Sequence, residues 1–187
     1  MTVILETARL ILRPLQISDA AEVARLAGEK SIASTTRRIP HPYTLEMAQS
    51  WIASLPEQHA RGEVANFGVT LRDSGALVGS TGLLLNAEDR HAELGYWIGL
   101  PYWNHGYASE AAQATIKFAF ESLKLHRVYA LYMTRNPASG RVMEKIGLRY
   151  EGTLRAHRFK WGQYEDMAVC GMTVEDYRAQ VKLADES

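Results

Sequence analysis

Residues 101 to 111, PYWNHGYASEA, set one glycine behind an aromatic, an amide and an imidazole and then run into alanine-rich sequence. A strand that ends before a glycine turn opening a helix presents free backbone N–H groups and the positive end of a helix dipole to one point. Anions collect at such a point. Gly106 has no Cβ, so a phosphate can approach the backbone from Asn104 to Ala108 closely. Neither GxxxxGK[ST] nor GxGxxG occurs, so neither a nucleoside triphosphatase nor a dinucleotide-binding enzyme is implied. Asn-His-Gly also reads as a plain turn with a glycine-tolerant conformation. A second constellation, Asn136, Ser139, Gly147 and Leu148, lies downstream, where Asn-Pro opening a helix and Gly closing it needs no ligand either.

The elements that must position these residues follow from periodicity. ARLILRPL (8–15) alternates charge and aliphatics as a first strand, and Pro14 ends it. Ser18 reads as the cap of a helix over 18–28 stopped by Gly28. After a polar loop, STTRRIPHPY, Thr44 caps a second helix that Pro56 disturbs. Strands at 65–72 and 77–86 flank the turn DSGA as a hairpin, and 91–100 reads as a further strand. In the next helix Ala108, Ala111, Ala112, Thr115, Phe118, Ala119 and Ser122 form a stripe that lets it lie close on a sheet. RVYALYMT (127–134) is nearly continuous in apolar residues, which predicts a strand buried on both faces. Asn136 caps a short helix with Pro137 first and Gly147 last. Strands at about 148–158 and 166–172 and a helix from Val174 complete a mixed α/β order.

Bulk properties exclude several classes. The chain has 187 residues, 47% of them hydrophobic, with Lys plus Arg and Asp plus Glu both at 21 and no basic stripe. At this length one core buries roughly 70% of the unfolded surface, and nucleic acid has no electrostatic footprint to bind. Cys170 is the one cysteine, too few for a disulfide or a CxxC clip, which fits a reducing, cytoplasmic setting. No stretch approaches a membrane span, and the 6 histidines lack a ligand spacing such as HExxH. A soluble protein without metal or membrane partner is expected.

Nearly the whole chain resembles the GNAT N-acetyltransferases, in particular their ribosomal-protein, Rim-type branch. The likeness rests on ETARLILRPLQISDA, HPYT, AELGYWIGLPYWNHGYASEA, NPASGRVMEKIGLRYEGTLR and GQYEDMAVCGMT, in that order. The resemblance implies one α/β domain over 1–187. Its central, mostly antiparallel sheet would splay between the fourth and fifth main strands, 92–98 and 127–134, with helices on its faces. It implies acetyl-coenzyme A as co-substrate, its diphosphate on the turn of Trp103, Asn104, His105, Gly106, Tyr107, Ala108 and Ser109. Trp103, Gly106 and Ala108 stand at the first, fourth and sixth motif positions, while Asn104 replaces a frequent glycine. The pantetheine arm would bond to backbone near Tyr96, Trp97 and Ile98 and to Asn136.

Amine attack on a thioester needs a neutral nucleophile, a donor for the oxyanion and a proton donor for the thiolate. A strand N–H around Trp97 or Ile98 suits the oxyanion, because a fixed donor needs no reorganisation. The tyrosine that many relatives carry seven residues after the asparagine is Met143 here, so the resemblance points to Ser139 as proton donor, with Tyr150 a weaker alternate. Glu93, acting through a water, His157 and Glu110 are the candidate bases, and Arg158 stands where related enzymes carry a glutamate. An α-amine with pKa near 7.8 is on the order of a tenth neutral at pH 7, whereas a lysine near 10.4 costs about 3.5 kcal/mol more to deprotonate. A site without a strong base therefore favours a protein or peptide N-terminal α-amine. Arg37, Arg38, His41, Tyr43 and Trp161 are expected in the acceptor wall, where paired arginines suit a carboxylate-bearing acceptor. A small-amine acceptor (polyamine, antibiotic or amino-acid conjugate) and a non-catalytic acyl-coenzyme A binding module remain as alternatives, as do monomer and homodimer.

Overall fold

The architecture is a single eight-stranded sheet, in the order β1-β2-β3-β4-β5-β6-β8-β7, with helices on both faces. It is seen in a computed structural model that describes residues 3–185. The strands are β1 (Leu5–Glu6), β2 (Leu10–Arg13), β3 (Val64–Leu71), β4 (Leu77–Asn86), β5 (His91–Ile98), β6 (Arg127–Met133), β7 (Arg149–Lys160) and β8 (Gln163–Thr173). The helices are α1 (Ala20–Ala27), α2 (Lys30–Thr35), α3 (Leu45–Ala60), α4 (Tyr107–Glu121), α5 (Pro137–Lys145) and α6 (Val174–Asp185). Every strand pair is antiparallel except β5 and β6.

The β5–β6 exception positions everything that follows. The parallel pairing runs only from His91↔Arg127 to Glu93↔Tyr129, after which the strands part. The sheet is thus splayed between 92–98 and 127–134, as expected. Alternation along β5 divides its side chains between two layers. Ala92, Leu94 and Ile98 join a core with Ala111, Ala112, Ile116 and Ala119 of α4. Trp97, on the other face, packs with Tyr43 and Trp51 against Ala20, Val23, Ala48 and Ile52 of α1 and α3.

Several expected elements differ in detail. The strand expected over 8–15 is only Leu10–Arg13, preceded by the two-residue β1, and at its end Arg13 grips Asp19 with both guanidinium ends at 2.8 Å. Ser18 is not a helix cap: it lies in a 3-10 turn, Ile17–Asp19, where Asp19 accepts the Gln16 N–H at 2.7 Å. That turn precedes α1. Between the first helix and the polar loop lies α2, an element not expected, whose Ile32 and Ala33 are buried; its short length and hydroxyl-rich sequence carry little periodic signal. Thr44 does cap α3, accepting from Met47 N–H at 3.3 Å, but the helix runs through Pro56 to Ala60. Burial of Ala48, Ile52 and Leu55 on one face offsets the bond that proline cannot make. The α4 stripe includes Ile116 and Phe120 and excludes Ser122, which lies past the last turn and is exposed. Strand β6 buries Val128 and Ala130 on one face and Met133 on the other, where Tyr129 and Leu131 are only half-buried.

Asn136 and Gly147 bracket α5 as expected, with Asn136 Oδ1 accepting from Ser139 N–H at 3.4 Å and Gly147 at φ +85°. Gln180 of α6 donates to the Gly147 carbonyl at 3.1 Å, and a Cβ on Gly147 would meet the Gln180 amide at 2.3 Å. The amide tip can swing away, so left-handed backbone strain dominates. Gly147→Ala is expected to lower unfolding free energy by about 1–2 kcal/mol, measured by urea denaturation.

Candidate active site

The parting of β5 from β6 opens a cleft of about 1340 Å³ that runs from the Asn104–Ser109 turn to Glu93 and on to α3. A single small-molecule pocket usually spans about 300–1,000 Å³, so this cleft has room for two reactants side by side.

The turn at its upper end is built from two left-handed residues. Asn104 has φ +63° and Gly106, the cap of α4, has φ +79°. Asn104 tolerates this region better than most side chains, which accounts for the frequent glycine at that place. Among the described residues, no protein acceptor takes the N–H groups from Asn104 to Ser109; the first satisfied amide of α4 is Glu110, on Gly106 O at 3.1 Å. These donors line the cleft. Unpaired amides at the positive end of a 15-residue helix have the geometry an anion site requires.

A strut not legible in the sequence holds this turn. Arg9 donates to the His105 carbonyl at 2.9 Å, stacks its guanidinium 4.9 Å from the Tyr107 ring centre and pairs with Glu110. Glu110 also accepts from Thr7 Oγ1 at 2.6 Å and from the Arg9 amide at 2.9 Å. Burial alone would raise its carboxyl, but these hydrogen bonds and the Arg9 charge hold it below the usual range. Glu110 is thereby committed to the N-terminal strand. His105 turns its own ring onto the Trp103 carbonyl at 2.7 Å.

Along β5 the register decides which backbone groups face the opening. Gly99 N–H donates to Val78 O at 2.8 Å, so by antiparallel alternation Trp97 and Gly95 exchange bonds with Ser80 and Gly82. Trp97 N–H is therefore turned toward β4. The backbone of Tyr96 and the N–H of Ile98 point into the gap instead, while the Ile98 carbonyl is taken by Trp103 Nε1 at 2.6 Å.

Below the gap, the odd-numbered face of β5 carries Glu93, Gly95 and Trp97. A Cβ on Gly95 would meet nothing within 4 Å, so the cleft floor is open there. Glu93 pairs with Arg37 at 3.0 Å, with side-chain exposures of 17% and 21%. The phenol of Tyr129 is raised, chiefly by burial and further by the Glu93 charge, with Arg37, Arg127 and Arg38 opposing.

The segment carrying Arg37 is held by three cations from the far side of the sheet. Arg135 donates to Ser34 O at 2.7 Å, Arg158 to Arg37 O at 2.9 Å, and Lys160 to Thr36 O at 2.5 Å and Ile39 O at 3.2 Å. Lys160 is buried, and burial, then Arg158 and Arg135, lower its pKa. No sequence pattern marks these contacts, because their partners are backbone carbonyls roughly a hundred residues away.

The expected acceptor residues divide. Arg37, Arg38 and Tyr43 line the cleft, but His41 and Trp161 do not. His41 Nδ1 lies 3.1 Å from Gly28 O with its ring 6.1 Å from Trp161, which sits at the exposed β7–β8 turn. Arg37 is neutralised by Glu93, so the expected pair of free arginines reduces to Arg38, which is exposed. His157 and Tyr150 lie on the exposed strand β7, outside the cleft lining. A long edge strand places its side chains in solvent, a property that local sequence does not encode. Met143 is buried in the core, and Ser139 is the cleft-facing hydroxyl of α5.

No helix among the described residues is long and apolar enough to cross a membrane, and no cluster of three or more metal-ligating side chains occurs among them.

Comparisons with known proteins bear on the family and the fold. Residues 9–149 match the Acetyltransferase (GNAT) domain family. The uncharacterized N-acetyltransferase YoaA of Bacillus subtilis is 34% identical over 176 residues, covering 89% of this chain and 94% of its own. The ribosomal protein uS5-alanine N-acetyltransferase of Escherichia coli is 26% identical over 131 residues, 69% of this chain and 68% of its own. A GNAT-family acetyltransferase from Bacillus anthracis superposes with a TM-score of 0.82 at 28% identity, over 92% of this chain and 99% of that one. Three-quarters of the sequence and the whole splayed sheet thus point one way: the chain belongs to the GNAT family and is an acetyl-coenzyme A-dependent N-acetyltransferase.

Proposed function

We propose that the enzyme acetylates the N-terminal α-amine of a protein or peptide by direct attack in a ternary complex. The observation that carries this reading is the cleft itself, with unpaired amides at one end and a half-buried carboxylate, Glu93, at the other. In this reading the amides from Asn104 to Ser109 hold the diphosphate of acetyl-coenzyme A, and Arg141 and Lys145, exposed on the cleft's rim, meet its remaining negative charge. The pantetheine amides bond to the Tyr96 backbone as an added strand edge, with Asn136 alongside. Ile98 N–H is the fixed donor for the oxyanion, and Ser139 Oγ donates to the departing sulfur.

The amine enters over Gly95. Glu93, held by Arg37, takes its proton directly or through a water, and Tyr43 and Arg38 border the entry. Glu93 is the base in this reading, since His157 is outside the cleft and Glu110 is tied to Arg9 and Thr7. A base already paired with a guanidinium serves an α-amine better than a lysine, because the α-amine is far easier to deprotonate. The similarity to a ribosomal-protein alanine N-acetyltransferase supports the same acceptor class.

The test compares two peptides of one sequence, one with a free N-terminus and the other N-blocked but containing lysine, followed by mass change. Acetylation of the free N-terminus at least about tenfold faster is expected, from the difference in deprotonation cost. Preference for the blocked peptide defeats the reading, and rapid turnover of polyamines with no peptide acetylated replaces it with a small-amine acceptor.

A further inference from the structure

In the reading above only the backbone of Tyr96 is used, yet its side chain spans the opening. The Tyr96 hydroxyl has two acceptors within reach for its single proton, Ser139 Oγ at 2.9 Å, where either hydroxyl can donate, and the Ser139 carbonyl oxygen at 3.2 Å, which can only accept. Tyr96 stands on β5 and Ser139 on α5, which follows β6, so the contact joins the two banks of the gap. Among the described residues, Tyr96 is the side-chain partner of the Ser139 hydroxyl. The neighbouring Tyr132 lies against Gly140, where a Cβ would sit 2.9 Å from the phenol. Met143, one turn further along α5, is buried and brings no polar group.

A serine hydroxyl has one proton and two acceptor lone pairs. Where a second donor fills a lone pair, the proton must point elsewhere. Burial pushes the Tyr96 phenol up to about 12, so it keeps its proton through the neutral range, and the nearer of its two acceptors, Ser139 Oγ at 2.9 Å against the carbonyl at 3.2 Å, is the one the inference assigns that proton to. With Tyr96 below and the Asn136 cap fixing the Ser139 backbone, the direction left to the serine proton is the open gap.

We infer that Tyr96 is a positioning residue that aims the Ser139 hydroxyl proton at the departing sulfur. The inference rests on the proposed function, in which Ser139 donates to that sulfur. In the step concerned, the amine nitrogen bonds to the acyl carbon and the carbon–sulfur bond breaks, its electron pair going to sulfur. The thiolate leaves hydrogen-bonded to Ser139 and takes its proton from water, to which Glu93 returns the proton shed by nitrogen. The products are an amide and a thiol, and Tyr96 and Ser139 end as they began.

Steady-state kinetics of the wild type, Tyr96→Phe, Ser139→Ala and the double variant test this, with acetyl-coenzyme A and an accepted amine. Tyr96→Phe is expected to lower kcat about tenfold, with KM for acetyl-coenzyme A changed by less than about twofold. Because Tyr96 acts through Ser139, the double variant is expected to be no slower than Ser139→Ala alone. Site-specific 3-fluorotyrosine at position 96 keeps the donor and the shape, and kcat is expected to hold within about twofold. The fluorinated protein keeps the test decisive should Tyr96→Phe melt early, since loss of its kcat in a folded protein overturns the inference. So does an unchanged or raised kcat in Tyr96→Phe, a multiplicative double variant, or a rise confined to KM. A folded wild type that acetylates no amine overturns the proposed function as well, whereas an active wild type with an indifferent Tyr96→Phe overturns this inference alone.

Discussion

Gly106→Val is expected to lower kcat/KM for acetyl-coenzyme A by at least about 100-fold, mostly through KM, while the protein stays folded. Gly106 sits at φ +79° and caps α4. A residue with a Cβ costs about 1–2 kcal/mol there, and a β-branched one is more strained still, so the turn relaxes. Each charge-assisted amide bond lost to the phosphates costs a further ~1.5–3 kcal/mol. Loss of two such bonds, about 3–6 kcal/mol, already exceeds the roughly 2.7 kcal/mol that 100-fold represents. A new Cβ would also stand 3.4 Å from Arg9 Nη2, the strut on the His105 carbonyl. Isothermal titration with coenzyme A, next to a thermal melt, separates loss of binding from loss of fold. Asn104→Gly is the matched control: it relieves the left-handed strain at φ +63° and should leave coenzyme A affinity equal or tighter. Undiminished binding by a folded Gly106→Val protein would remove the turn from the cofactor site.

Glu93→Gln carries the second large expected effect, a fall in kcat of about 100-fold at neutral pH with acetyl-coenzyme A KM unchanged. Glutamine keeps an oxygen for Arg37, 3.0 Å away in the native pair, so the cleft wall persists while the proton acceptor is lost. The pH profile distinguishes this from a packing defect. An α-amine with pKa near 7.8 is mostly neutral at about pH 9, so less of the reaction then depends on Glu93. The ratio of wild-type to variant kcat/KM is expected to shrink between neutral pH and pH 9. A ratio that stays constant across that range assigns Glu93 to structure.

These two positions differ in how they became visible. The Gly106 turn was readable from its own neighbours, because the need for a left-handed residue before an alanine-rich helix is local, and so were the Asn136 cap and the Gly147 stop. Alternation in β5 likewise reports which face joins the α4 core, whereas β3 and β4 are buried in continuous runs. Elements whose stability is tertiary were not readable in this way. Helix α2 and the continuation of α3 through Pro56 persist because Ile32, Ala33, Ile52 and Leu55 find a buried surface. Strand β2 gives way to a 3-10 turn after Arg13, whose guanidinium Asp19 of that turn holds.

Composition and local pattern were enough to determine a mixed α/β chain with a left-handed glycine turn between a strand and a small-faced helix, since those features depend on neighbours three or four residues away. Which of the candidate acids, bases and cations share a cleft was decided only by the folded sheet. The splay after Glu93 turns the Ile98 N–H and the Tyr96 backbone into the gap; the edge position of β7 carries His157 outside it; and Arg9 takes Glu110. Those outcomes depend on strand register and on contacts between residues as much as a hundred positions apart, and a register shift of one residue reverses every side chain on a strand.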